Sequence, residues 1–138
     1  MSMDPSLNFI KDYLFHLASL HNVEITDCID LQPSTPDLSI ITYKGIFMNL
    51  NLNTNVSYCF RLAHELSHIL YGDSDNQKVY AFSEYGKRSE EHLAHKNAIK
   101  LLMSVEEPTS PNSFMEIYHV PFWLLGDVER EFKNITNN

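Results

Sequence analysis

Residues 64–68 read His64-Glu65-Leu66-Ser67-His68, two imidazoles four positions apart with a carboxylate beside the first. On a helix, four residues make a little over one turn and leave the two histidines about 40° apart on one face. Both can then reach a single cation, and Glu65 stands where it can take a proton from an attacking water. At ~100° per residue, Val56, Cys59, Leu62, Ala63, Leu66, Ile69 and Leu70 form one apolar arc, while Ser57, Arg61, His64, Glu65 and His68 fall on the other. Solvation is the plainest account of that polar arc. A third ligand nearby argues against it.

A catalytic zinc takes three protein ligands and keeps a fourth position open for water. The third is expected from a helix starting at Ser89, in which Ala94, Ala98, Ile99, Leu101 and Leu102 form the buried stripe. Glu91 lies near the centre of that stripe and Glu90 at its edge. A carboxylate turned toward a core must be paired or bind a cation, because an isolated buried charge is costly. Ala94 and Ala98 are small and allow close approach to the His64–His68 helix. Acidic residues in a first turn also suit the helix dipole; that explanation is kept for Glu90, and Glu91 is the expected ligand.

The other histidines and the thiols carry weaker signals. His95, one turn beyond Glu91, is expected as a hydrogen-bonded core histidine, with lining the cleft or touching a ligand as its alternatives. His92 is expected in solvent, His16 and His21 have no partner spacing, and His119 could be placed anywhere by the fold. Peptide hydrolysis would also need a donor for the developing oxyanion; Tyr58, Tyr80, Tyr85, His95 and His119 are all chemically able, and the sequence does not choose. A cysteine as third ligand is not supported: Cys59 lies on the apolar arc facing away from His64, and Cys28 lacks a glycine-rich setting.

The elements that must position these groups follow from periodicity. Leu7, Ile10, Leu14, Leu17 and Ala18 predict an amphipathic helix from about Ser6 to Leu20, followed by a turn-rich stretch with Pro33 and Pro36. Leu38–Tyr43 and Ile46–Leu52 flank Lys44-Gly45 as a hairpin. The second strand places Ile46, Met48, Leu50 and Leu52 on one face, with Phe47, Asn49, Asn51 and Asn53 on the other. An extended peptide could add to the Phe47–Asn53 edge beside the metal helix. Asn53 or Thr54 would cap that helix, which runs to Tyr71 and stops at Gly72. A loop with Asp73, Asp75, Gly86 and Lys87 leads to Ser89, the expected cap of a helix through Met103. Ser110 and Pro111 open a short helix with Ser113 and Glu116 spaced as a capping box. Pro121 opens the last, carrying Phe122, Leu125, Val128 and Phe132. The fold class is α+β: one mainly helical domain, residues 1–138, with a small antiparallel sheet beside the His64–His68 helix.

Composition bounds the function. The 138 residues are 43% hydrophobic and 12% aromatic, which is globular rather than disordered. Two cysteines make no disulfide framework, no charged-then-apolar leader opens the sequence, and no apolar run approaches the ~20 residues of a membrane span. A protein of the reducing cytoplasm, without membrane partners, is the expectation. The net charge of −8 argues against direct nucleic-acid binding, which needs clustered basic residues.

At Arg61–Leu70, and at Glu91-His92-Leu93-Ala94 followed by Ala98 and Leu101-Leu102-Met103, the chain resembles the ImmA/IrrE family of zinc metallopeptidases. Weaker similarity runs upstream through the hairpin and downstream from Phe114 to Trp123. Ser67 stands where the family usually has glycine, His95 where asparagine is common, Asn97 for phenylalanine and Ser104 for proline. The resemblance implies that His64, His68 and Glu91 hold Zn2+ and that Glu65 is the general base of an endopeptidase. It further implies a partner, a helix-turn-helix transcriptional repressor of a phage or mobile element, whose cleavage would relieve repression. Two other functions remain open to test: a non-catalytic zinc-containing module that sequesters a repressor, and a structural zinc domain, which a fourth protein ligand such as His95 would favour.

Overall fold

The computed structural model describes residues 5–72 and 84–137. Its elements in chain order are α1 (Pro5–Leu20), β1 (Glu24–Cys28), β2 (Leu38–Ile40), β3 (Gly45–Asn49), α2 (Tyr58–Leu70), α3 (Glu84–Val105), α4 (Pro111–Tyr118), a 3-10 turn (Phe122–Leu124) and α5 (Leu125–Thr136). The α+β class therefore holds, with helices dominating a three-stranded sheet.

That sheet differs from a plain hairpin. Its order is β1-β3-β2, with β3 central, parallel to β1 and antiparallel to β2. β1 was read from sequence only as part of a turn-rich stretch, because Glu24-Ile25-Thr26-Asp27-Cys28 offers one clearly apolar residue and is largely exposed. Ile46 and Met48 point into the core as their alternation requires, but β3 ends at Asn49, and Leu50 is exposed. Asn49 is wholly buried instead of facing out. Its amide nitrogen donates to the carbonyls of Gln32 and Thr35, and its backbone N–H donates to Asp37. Arg61 completes this clamp, donating to both Asp37 oxygens at 2.8 and 2.9 Å and to the Asn49 carbonyl at 2.8 Å. The Arg61 guanidinium thus fastens α2 to the start of β2 and the end of β3.

α2 runs through the centre of the molecule. Its apolar arc packs in the core with Ile10, Leu14 and Ala18 of α1, Ile46 and Met48 of β3, and Ala98, Ile99 and Leu102 of α3. The cap is Ser57, whose hydroxyl accepts from the Phe60 N–H, and not Asn53 or Thr54. Thr54 instead accepts from the Val56 N–H in the preceding turn. The helix ends at Leu70, next to the Tyr71-Gly72 stop read from sequence. The polar arc is not solvated: His64, Glu65 and His68 are buried, covered by β2 and α3, and Ser57 and Arg61 are half-buried.

α3 begins at Glu84, so Ser89 lies inside a helix rather than capping one, and Gly86 and Lys87 are helical. Asp73 and Asp75 lie outside the described residues. Ser110 caps α4 with Pro111 in its first turn, and the reciprocal partner is Ser113, whose hydroxyl accepts from the Ser110 N–H. Serine fills this role because it lies three residues on, where the side chain reaches back; Glu116 is too far along. Pro121 opens the 3-10 turn, so Val128 is buried as expected while Phe122 is 80% exposed.

Candidate metal centre

α2 and α3 lie side by side, and the small Ala94 and Ala98 in the interface bring the His64–His68 face against Glu90 and Glu91. The Nε2 atoms of His64 and His68 are 3.2 Å apart; Glu91 Oε2 lies 2.9 Å from the first and Oε1 lies 3.2 Å from the second. A tetrahedral ion with bonds of about 2.0–2.1 Å needs donor atoms about 3.3 Å apart, so the three groups fit one small divalent cation. Among the described residues, His64, His68 and Glu91 are the cluster that could hold a metal ion. His95 is not part of it. Three protein donors leave a coordination position open, unlike a closed structural site.

Glu90 has a role that the sequence reading did not assign. Glu90 is 2% exposed, and its Oε1 lies 3.2 Å from His68 Nδ1. A carboxylate on that nitrogen fixes the ring proton on Nδ1 and turns the Nε2 lone pair toward the ion position. The expected geometry of α3 is corrected accordingly. The buried line runs Glu90, Ala94, Ala98, and Glu91 stands at its margin, with its side chain 36% exposed to the cleft. Stepping back four residues from Ala98 and Ala94 would have found Glu90.

The electrostatics follow from burial. Desolvation pushes the Glu65 carboxyl above the usual carboxylate range, against the pull of His64 and His68 and a hydrogen bond with Ser39 of β2; the charge of Glu91 adds to the rise. Glu65 Oε2 lies 3.9 Å from His64 Nε2. Burial opposes the His68 cation, but hydrogen bonding to Glu91 and the charges of Glu91 and Glu65 outweigh it and raise the imidazole to about 9. Glu91 is held far below its ordinary range: burial opposes ionisation, yet the hydrogen bonds and charges of His64 and His68 prevail. His95 is driven down to about 3 by burial and by its neighbour His64, so its ring is neutral.

These groups line a cleft of about 560 Å³ together with Leu38, Ser39, Ile41, His95 and Pro121. The expected peptide edge is corrected: β3 is paired on both sides, and the sheet edge that meets the cleft belongs to β2. Of the five candidate oxyanion donors, His95 lines the cleft, its ring 4.1 Å from that of His64 and edge-on to Trp123 at 5.2 Å. The Tyr58 hydroxyl is committed to Asp27 at 2.5 Å. His119 caps α4 in a left-handed conformation at φ 51°, exposed. Tyr80 and the Tyr85 side chain lie outside the described residues. His92 is half exposed but pairs with Asp127 of α5 at 3.2 Å. His16 and His21, which have no partner spacing, are exposed. Cys59 is buried away from the site, its Sγ 3.4 Å from the Leu7 carbonyl, and burial raises the thiol to about 11. Cys28 is likewise an unpaired thiol away from the cluster.

The model of the Peptidase_M78 family, the IrrE N-terminal-like domain, matches residues 25–133 and so takes in the sheet, α2, α3 and the whole metal cluster. The chain belongs to this family. No curated protein and no solved structure matches it. The IrrE N-terminal-like match begins inside β1 and leaves α1 outside. Within this Peptidase_M78 domain, α1 nonetheless contributes Ile10, Leu14 and Ala18 to the core behind α2.

Proposed function

We propose that the protein is a zinc-dependent endopeptidase of the cytoplasm, with His64, His68 and Glu91 as ligands and Glu65 as general base. The observation that carries this reading is that one cleft holds three donors at tetrahedral spacing beside Glu65, a protonatable carboxylate on the helix that bears both histidines. Membership of a peptidase family supports it. Among the described residues no helix is long and apolar enough to cross a membrane. A bound zinc ion would supply Lewis acidity, polarising the attacking water and the substrate carbonyl. The chain's own residues do the rest. His64 and His68 present neutral nitrogens, Glu90 holds the His68 ring in the required tautomer, and Glu91 balances part of the metal charge. Glu65, its pKa raised by burial toward the working range of a base, takes the proton of the attacking water and hands it to the leaving amine. Ser39 steadies that carboxylate from β2. A substrate segment adding to the edge of β2 left unpaired among the described residues would run alongside Glu65.

The substrate we propose is a helix-turn-helix repressor of a phage or mobile element, a protein partner with no direct nucleic-acid contact. Incubating the purified protein with the repressor encoded beside its gene should give discrete fragments that a chelator abolishes and zinc restores. Glu65→Gln should keep zinc and fold but lose about 10²–10⁴-fold in rate, the usual worth of a positioned base. Cleavage by that variant at the wild-type rate refutes the role of Glu65. A stable, uncut complex would instead mark a sequestering module.

A further inference from the structure

The two ring nitrogens of His95 sit in different surroundings. Nδ1 is buried and has no hydrogen-bond partner. Nε2 bonds no described group and is not among the buried, unpartnered atoms, so it keeps access to the cleft that the ring lines. Orphaned buried N–H groups are rarer than orphaned acceptors. The ring proton therefore belongs on Nε2, where water or a substrate oxygen can accept it.

The ring also packs among three others. It lies 4.1 Å from the His64 ring, tilted by 33°, 6.2 Å from Phe60 in a stack, and 5.2 Å from Trp123 in an edge contact. Glu65 of α2 and Ser39 of β2 line the cleft, as does His95 of α3, whose ring meets Trp123. A peptide bound in this cleft meets both the base and an N–H donor.

We propose that the Nε2–H of His95 is the donor to the scissile carbonyl oxygen as that oxygen gains negative charge. The proposal rests on the peptidase reading. The bond changes balance without any further reactant. Water oxygen bonds to the carbonyl carbon, the carbonyl π pair moves onto oxygen, and Glu65 receives the water proton. As the tetrahedral carbon collapses, the C–N bond breaks and Glu65 returns that proton to nitrogen. The His95 proton stays on its nitrogen and only hydrogen-bonds. A donor preset by packing needs no reorganisation as charge develops, and loss of one such donor typically lowers rate 10²–10³-fold.

Two variants separate this role from packing. His95→Phe keeps the ring and removes the donor; His95→Gln places an amide N–H at about the reach of Nε2. The probes, on zinc-loaded full chain, are a phosphinic dipeptide with Phe and Leu side chains, whose anionic oxygens on tetrahedral phosphorus mimic the oxyanion on the attacked carbon, and acetohydroxamate, which only chelates. Imidazole nitrogen NMR should show wild-type His95 protonated at Nε2. H95F should bind the phosphinate about 10²-fold more weakly and H95Q within tenfold of wild type. Both should bind acetohydroxamate and zinc as the wild type does. An Nδ1–H tautomer, no phosphinate binding by the wild type, or unchanged phosphinate affinity in H95F overturns the proposal. So does parallel loss of zinc, which would make His95 a prop for His64. Wild-type protein that cuts no peptide, yet shows the Nε2–H tautomer and the phosphinate pattern, instead sinks the peptidase reading alone.

Discussion

Replacing Glu90 tests whether the metal centre is built in layers. Its Oε1 is 3.2 Å from His68 Nδ1, at a position 2% exposed, so this contact is made out of water. Hydrogen bonds to charged groups contribute about 1.5–3 kcal/mol. Independently, removing the partner of a metal-bound histidine costs about 10–100-fold in affinity, which is about 1.4–2.8 kcal/mol. The two routes agree. Glu90→Gln keeps the shape and an acceptor oxygen but loses the charge, so zinc affinity should fall about tenfold; Glu90→Ala should approach 100-fold. Competition with a chromophoric chelator measures each Kd, and circular dichroism of the metal-free proteins separates a weaker site from a lost fold. Folded variants of both kinds with zinc Kd within twofold of wild type would show that Glu90 does not orient His68.

Zinc uptake should release about one proton at pH 7, because the His68 imidazole, raised to about 9, must lose its proton to present Nε2; calorimetry in buffers of different ionisation enthalpy counts it, and affinity should rise with pH. Arg61→Met should destabilise the fold by about 3 kcal/mol by leaving the Asp37 carboxylate unpaired, at a side chain only 6% exposed. Urea unfolding should show R61M/D37N less impaired than R61M. Burial works against the Asp127 carboxylate, but hydrogen bonds from Arg130 and His92 outweigh it and hold its pKa below the ordinary 3.8. A lowered folded pKa gives stability that is present above 3.8 and lost as pH falls through the folded value. The stability gap between wild type and Asp127→Asn should therefore narrow only below about pH 4 in acid unfolding.

The site was legible because helical spacing is local. His64, Glu65 and His68 needed only the 3.6-residue period, whereas Glu91 was reached through a place near the centre of the α3 stripe that Glu90 in fact takes. What the sequence withheld depends on long-range placement. β1 carries too few apolar residues to announce a strand and gains its partner only through β3. Asn49 reads as a solvent-facing position until the Pro33–Asp37 stretch folds over it and takes up its amide. The polar arc of α2 is expected against α3, but that β2 covers it as well depends on the strand order, which nothing local reveals. Glu90 and Glu91 exchange their expected places because the stripe's boundary depends on where α3 crosses α2. Ser89 was a misleading cap signal, since the helix continues N-terminally to Glu84.

The central claim is that two imidazoles and one carboxylate share a single zinc with a water-exchangeable fourth position. X-ray absorption of the zinc-loaded protein tests it most directly, since multiple scattering counts imidazoles. The account predicts two imidazoles, two further oxygen donors and no sulfur, with one oxygen replaced when acetohydroxamate is added. Three imidazoles, any sulfur, or a shell that acetohydroxamate leaves unchanged would contradict it.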